Sequence, residues 1–442
     1  MLKAKRQTVE AGESSAKRPA KAPLARAEIV DKSVRGRFEA EIDAAVKRKE
    51  QDPSEIRLVG ALRPLAKLSP SLRAKLADAA TTLQKRGARD RVLYNGALRI
   101  LSECGDKATT PLLKIALTAD DAGGTSALAA AALSRDAALA PFLAKVASSR
   151  QSHLAFAAET ARVARGESNG VHLAALAPMI KESHRISLCG ELFVPIARGA
   201  ATHKAIGPAL TVLRSAERHL GRWLVLAEVA AKAGDPTPID EARTKSTVGP
   251  TSSRAAWACV AWALDEVAPG VSAASPLPAP ETRPTVELMA RLSDRPSADR
   301  DMTFLFRMAR AGLASPKAML ESLAKGPPLA DELALRAALY LVKNHGASDL
   351  VPALLEASSS AGIEELRGLA TAAAWDTEDA SVRDRVLAHA DELADSPILA
   401  NVAWSALVRA ASRGGATYAG VGGRHSVLHE SSLRWIHWAW IE

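Results

Sequence analysis

The chain has 442 residues, of which 24% are charged, 48% hydrophobic and only 4% aromatic, with three cysteines and a net charge of +9. Abundant alanine and leucine with few aromatic rings suit thin helical layers packed by small side chains rather than one wide core. No apolar run reaches the roughly 18 residues that span a bilayer, and Cys104, Cys189 and Cys259, each alone in an apolar run, read as buried core residues rather than a disulfide framework or a ligand set.

The first 27 residues hold seven Lys/Arg, two Glu and two Pro without apolar periodicity. Such a segment buries too little surface to offset its ordering entropy, so 1–27 is expected to be a disordered basic arm, either a solvated tail or an electrostatic tether to nucleic acid or an acidic partner. Met1 to Lys21 lacks the apolar stretch of a secretory signal, which points to a cytoplasmic address. The charge is uneven: the first hundred residues carry 23 Lys/Arg against 12 Asp/Glu, a net +11, and the other 342 carry a net −2.

The spacing of Ile29, Val34, Phe38, Ile42 and Val46 predicts a helix within Ala27 to Lys49 that caps the N-terminal end of a helical array. Ser54 to Leu68 and Pro70 to Arg86 then read as a first helical hairpin. Arg57, Arg63, Lys67, Arg73, Lys75, Lys85, Arg86, Arg89, Arg91 and Arg99 crowd this stretch. Lys85, Arg86, Arg89 and Arg91 are the candidate phosphate-binding residues, in a basic groove for a nucleic-acid backbone or on a solvated outer face. Aromatic interleaving, the mark of single-stranded nucleic-acid binding, is absent here apart from Tyr94.

The stretch from Ala97 to Leu117, ALRILSECGDKATTPLLKIAL, predicts two helices broken at Gly105-Asp106, with Pro111 in the first turn of the second, where its missing N–H has no partner to lose. Prolines followed by apolar runs recur at Pro111, Pro141, Pro178, Pro208 and Pro238, at intervals of 30, 37, 30 and 30 residues. Pro316 follows Gly312, and Pro352 follows Gly346 at the same six-residue offset as Gly105 and Pro111. A period of 30 to 40 residues with paired helices implies stacked hairpins that bury their faces on one another.

The hinges CGDKATTPLLKIAL, AGDPTPIDEA and HGASDLVPALLEA resemble the HEAT repeat in its short bacterial form, the kind found in phycobilin lyases. The resemblance runs from about Leu58 to Arg413, clearest at Gly105, Gly234 and Gly346. It implies an all-α fold, an α-solenoid with a right-handed superhelix. The implied organisation is the arm at 1–27, repeats over 28–245, an irregular repeat with the proline-rich loop SPLPAPETRP over 246–300, further repeats over 301–413, and a Gly/Trp-rich tail at 414–442. In that tail Trp435, Trp438 and Ile441 form a short apolar face that suits a cap, a docking surface or a membrane interface.

No nucleotide-binding, metalloprotease or nucleophile-elbow motif stands in a supporting context. His425 and His429 lack a third ligand, and His184 before Cys189 lies in what reads as buried helix. Asp376, Glu378 and Asp379 read as the cap and first turn of a following helix. Trp223, Trp257, Trp262, Trp375 and Trp404 sit in Ala-rich helices, where large rings fill gaps. The leading expectation is a non-catalytic scaffold with a protein partner, without cofactor, metal or catalytic residues. A second is a DNA-binding or DNA-repair module: some alkylpurine glycosylases resemble stacked HEAT-like hairpins and use tryptophan and an acidic residue, which would make Trp375 and Asp376 groove residues. A third is a cradle for a hydrophobic cofactor of the bilin-lyase type.

Overall fold

The computed structural model describes residues 28–118, 124–188, 192, 206–217, 220–249, 257, 261, 264–265, 268–273, 338, 342, 347–360, 364–375, 377 and 379–413. Among these residues there are seventeen α-helices, four short 3-10 helices and no strand, an all-α chain. The first eight helices are α1 (Lys32–Lys47), α2 (Ser54–Ala66), α3 (Pro70–Lys85), α4 (Val92–Glu103), α5 (Thr109–Thr118), α6 (Gly124–Leu133), α7 (Ala140–Ala147) and α8 (Ser152–Ala164). Next come α9 (Leu173–Leu176), α10 (Glu182–Ser187), α11 (Gly207–Ser215), α12 (Leu220–Lys232) and α13 (Thr237–Thr247). The last four are α14 (Val351–Ser360), α15 (Glu364–Trp375), α16 (Arg383–Glu392) and α17 (Leu399–Ser412). No described helix is long and apolar enough to cross a membrane.

Local chemistry sets the helix ends. At the start of α3 the Ser69 hydroxyl accepts from the Leu72 N–H at 3.2 Å, and Pro70 fills the first helical position, so cap and proline satisfy the end together. At the end of α4, Gly105 takes a left-handed conformation (φ 65°); its N–H reaches Ser102 O, and the Asp106 N–H reaches Leu101 O, both at 3.0 Å. That pair of bonds answers carbonyls the helix leaves unpaired, and glycine adopts the required φ without steric cost. The same pair recurs at Gly87, Gly166 and Gly234. The residue after two of these glycines starts the next segment: Asp106 Oδ1 accepts from Ala108 N at 3.0 Å and Asp235 Oδ1 from Thr237 N at 2.9 Å. The GD dipeptide of the sequence is thus a stop and a start in adjacent residues.

Packing runs in two rows. α1 lies on α3, α3 on α5 and α5 on α7; α2 lies on α4, α4 on α6 and α6 on α8. Phe38 and Ile42 of α1, Leu62 and Leu65 of α2, and Leu72 and Leu76 of α3 are fully buried between the rows. Two glycines sit where a neighbour leaves little room: a Cβ at Gly96 of α4 would stand 2.5 Å from a Val59 methyl of α2, and one at Gly368 of α15 would stand 2.7 Å from the Asn401 Cα of α17.

The first and last described helices meet. α17 packs along α2 and touches α1, while its other neighbours are α15 and α16. Val402, Ala403, Ala406, Leu407 and Ala410 of α17 belong to the same continuous hydrophobic core as residues from Val30 to Ala230. Polar groups rim this seam: Asp31 accepts from Arg409 at 2.8 Å and from Arg413 at 2.9 Å, and Arg37 donates to the carbonyls of Ser396 at 2.7 Å and Pro397 at 3.1 Å. The even row therefore reads α15, α17, α2, α4, α6, α8, with the C-terminal helices on the outer side of the first hairpin.

Several expectations meet the structure directly. The helix expected within Ala27 to Lys49 is α1, the first hairpin is α2 and α3, and Pro141, Pro208, Pro238 and Pro352 stand at second positions of α7, α11, α13 and α14; α1 does not cap the array as expected, because α17 packs along α2 and touches α1. Pro178 differs. It lies in a 3-10 turn, Ala177–Met179, that ends where Ile180 turns extended (ψ 113°) and buries its side chain, so no helix starts there. Cys104 is buried, and burial pushes its thiol up to about 11, as suits a core residue. The arm, the Gly346 hinge, Pro316, the loop SPLPAPETRP, Cys189, Cys259, Trp262 and the tail with His425 and His429 lie outside the described residues.

Candidate functional site

The basic stretch between residues 57 and 99 is where the sequence concentrates candidate site residues, and the fold sorts them by burial. The C-terminal ends of α1 and α3 lie side by side. Contacts to carbonyls make the junction: Arg86 Nη1 donates to Val46 O at 2.8 Å, and Arg91 donates to Arg48 O and Ala45 O, each at 3.0 Å. These bonds add donors at the last carbonyls of α1, of which Ala45 O also accepts from the Arg48 N–H at 3.2 Å. Arg48 itself pairs with Asp52 at 3.7 Å and donates to Ser54 Oγ at 2.8 Å.

Lys85 and Arg86 are exposed and Arg89 is half-buried. Arg91 does not belong with them. It is 4% exposed and pairs with Glu55, which is fully buried on α2; the other Glu55 oxygen accepts from the Leu93 N–H at 3.1 Å. Glu55 thus places a carboxylate at the start of α4 and holds the guanidinium that closes the end of α1, so Arg91 ties three helices together and leaves the candidate surface.

Arg63, Arg73, Lys75 and Arg99 are paired with acids, Arg63 and Arg99 sharing one carboxylate. Arg63 grips Glu103 with two bonds of 2.8 and 2.6 Å, and Arg99 approaches the same carboxylate at 3.7 Å. Arg73 pairs with Asp106 at 3.3 Å and Lys75 with Asp43 at 2.7 Å. Burial alone would raise the Glu103 carboxyl; Arg63, with Arg99 and Lys67 behind it, overcomes this and holds it below its ordinary range. Tyr94, the one aromatic side chain of the stretch, is buried with its hydroxyl accepting from Gln84 Nε2 at 2.8 Å, and offers no stacking surface.

The chain matches no family model, no curated protein and no solved structure.

Trp375, the last residue of α15, is half-buried, and the Arg383 guanidinium lies 5.6 Å from its ring centroid. Asp376 lies outside the described residues, so the expected groove pair is represented by Trp375 alone. Asp379 accepts from Ser381 N at 2.9 Å and caps the 3-10 turn that leads into α16, the capping role expected of this acidic spot. Trp404 packs against the hydrophobic core. Among the described residues, no three His, Cys, Asp or Glu side chains are grouped to hold a metal ion.

Two features escape sequence reasoning. One is the seam, since nothing near Asp31 marks a partner at Arg409. The other is a tryptophan and cation cluster on α11, α12 and α13: Trp223 meets Trp257 edge to face at 4.7 Å between centroids. The two tryptophans stand out in the sequence, but their cationic partners lie on separate helices, and no spacing along the chain connects them.

Proposed function

We propose that the chain is a non-catalytic scaffold for protein partners, built as a HEAT-like α-solenoid with a right-handed superhelix. The observation that carries the reading is the alternation of the first eight helices into two rows, each hairpin lying on the next. An array of this kind gives each hairpin a small share of a long surface, so a standard interface of about 800 Å² per partner must draw on several hairpins at once. Exposed apolar side chains stand on different hairpins, Ile56 on α2, Ile115 on α5 and Met179 after α9.

The test starts with affinity capture from native lysate and continues with titration of the identified partner against the full chain. Changing Ile56, Ile115 and Met179 to serine tells a spread surface from a single pocket: losses of affinity that are partial and distributed support the scaffold. A single substitution that abolishes a chemical turnover overturns it in favour of an enzyme.

A nucleic-acid reading is favoured by the edge where α1 and α3 end, with Lys85 and Arg86 exposed and Arg89 beside them. Binding to duplex DNA at this edge would weaken steeply with salt as counterions are released, and reversal of Lys85, Arg86 and Arg89 to Glu would abolish it. The pairing of Arg63, Arg73, Lys75 and Arg99 with acids leaves this edge narrower than the sequence suggests.

A further inference from the structure

The cluster on α11, α12 and α13 holds two donors that the fold leaves unanswered. Arg214, near the end of α11, is 3% exposed, and its Nε approaches Glu241 Oε2 of α13 at 3.4 Å. Its Nη1 is shielded from solvent and has no acceptor. Trp223 of α12 is 2% exposed, and its indole Nε1 is likewise buried without an acceptor. The guanidinium carbon lies 5.7 Å from the Trp223 ring centroid, so the two orphan donors belong to one small neighbourhood.

Lys245 of α13 and Trp257 stand over this floor. Lys245 Nζ is 4.3 Å from the Trp257 centroid and 5.6 Å from that of Trp223, and it donates to Glu241 Oε1 at 2.6 Å. Its side chain is 42% exposed and Trp257 is half-buried, so this side of the cluster meets solvent. Arg214 and Lys245 share the single carboxylate of Glu241, which leaves one positive charge in excess among the contacting groups. A buried N–H without an acceptor forfeits its full hydration, and a buried cation is retained when something of opposite charge answers it.

We propose that this cluster is a binding site for an oxyanion, a carboxylate or phosphate group, which accepts from Arg214 Nη1 and Trp223 Nε1 and is screened from water by Lys245 and Trp257. Two buried donors without acceptors in one neighbourhood, beside a carboxylate shared by two cations, are what such a group would answer, and the guanidinium favours a planar or tetrahedral oxyanion over a halide because it donates along several directions at once. The site is independent of the scaffold reading.

The test titrates the full chain with sodium phosphate and, separately, sodium acetate, at ionic strength held constant with sodium chloride. Heat of binding and intrinsic tryptophan fluorescence are both followed. Saturable binding of one or both anions is expected, and the arm that saturates at lower concentration identifies the group. Trp223→Phe keeps the ring and removes the donor; Arg214→Met keeps the stem and removes the charge. Each is expected to weaken binding at least about tenfold, the loss of one charge-assisted hydrogen bond, with the helical circular dichroism unchanged for Trp223→Phe. Absence of saturation in the unaltered chain overturns the proposal and leaves the donors to a buried water. Binding that persists unchanged in Trp223→Phe also overturns it, because the anion then sits elsewhere, such as the edge at Lys85 and Arg86.

Discussion

Replacing Arg91 by methionine separates a structural arginine from a phosphate-binding one. In the folded chain Arg91 is 4% exposed and Glu55 is fully buried. The substitution removes the counter-charge of Glu55, which keeps only the Leu93 N–H, and strips donors from Ala45 O and Arg48 O. Breaking a buried pair by removing one partner costs about 3–5 kcal/mol, because a charge is left without compensation. At the exposed neighbour Arg86 the same change removes one bond to Val46 O, worth about 0.5–1.5 kcal/mol. The two arginines should therefore differ several-fold in urea unfolding followed by circular dichroism at about 222 nm, the helical band that most of this chain supplies. A double variant, Glu55→Leu with Arg91→Met, should recover most of the loss, since an apolar pair of similar volume replaces a buried ion pair at little cost. The reasoning is refuted if Arg91→Met costs under about 1 kcal/mol, the range of a surface pair. Loss of salt-dependent duplex binding at unchanged stability would return Arg91 to the phosphate site.

Acid should act in two windows. His389 is held below its ordinary value of 6.5 first by burial and then by Arg367, so its neutral form belongs to the fold; stability present above pH 6.5 is lost as pH falls from there, and His389→Gln should flatten that slope of the urea midpoint. Glu103, held below 4.5 by Arg63 despite its burial, contributes stability that is full above pH 4.5 and lost as pH falls through the depressed value; Glu103→Gln should remove that lower step. Gly96→Ala drives a methyl into Val59, which stands 2.5 Å from the new carbon, and should cost about 1–3 kcal/mol by overpacking; calorimetric melting measures it, and an unchanged midpoint would show that α2 and α4 part freely.

Punctuation makes the local fold legible. Ser69-Pro70, the prolines that open α7, α11, α13 and α14, and the glycines at 105 and 234 each act within a few residues, through a fixed φ, a missing N–H or a left-handed turn. Pro178 shows the limit, because the same proline suits a 3-10 turn when the next buried residue, Ile180, needs extended backbone. The candidate site is legible as a charge count but not as a surface. Arg91 meets Glu55 from 36 residues earlier, and Lys75 meets Asp43 from 32 earlier. Charges that pair across helices cannot be separated from solvated ones by their spacing along the chain.

The seam gives the order of synthesis a physical meaning. α2 occupies residues 54–66, and α17, which lies along it, spans 399–412. At the usual 5–20 residues per second, a ribosome takes roughly 20 to 70 s to make the chain between them. Throughout that time the first hairpin has folded neighbours on one flank only, and the apolar surface destined for α17 faces solvent or whatever binds it there. A copy of α17 from another nascent chain carries the same Val402, Ala403, Ala406 and Leu407 face, so until its own α17 is made the first hairpin can be met by a neighbour's. The contact between the first and last described helices is thus also one that a second copy of the chain is able to make.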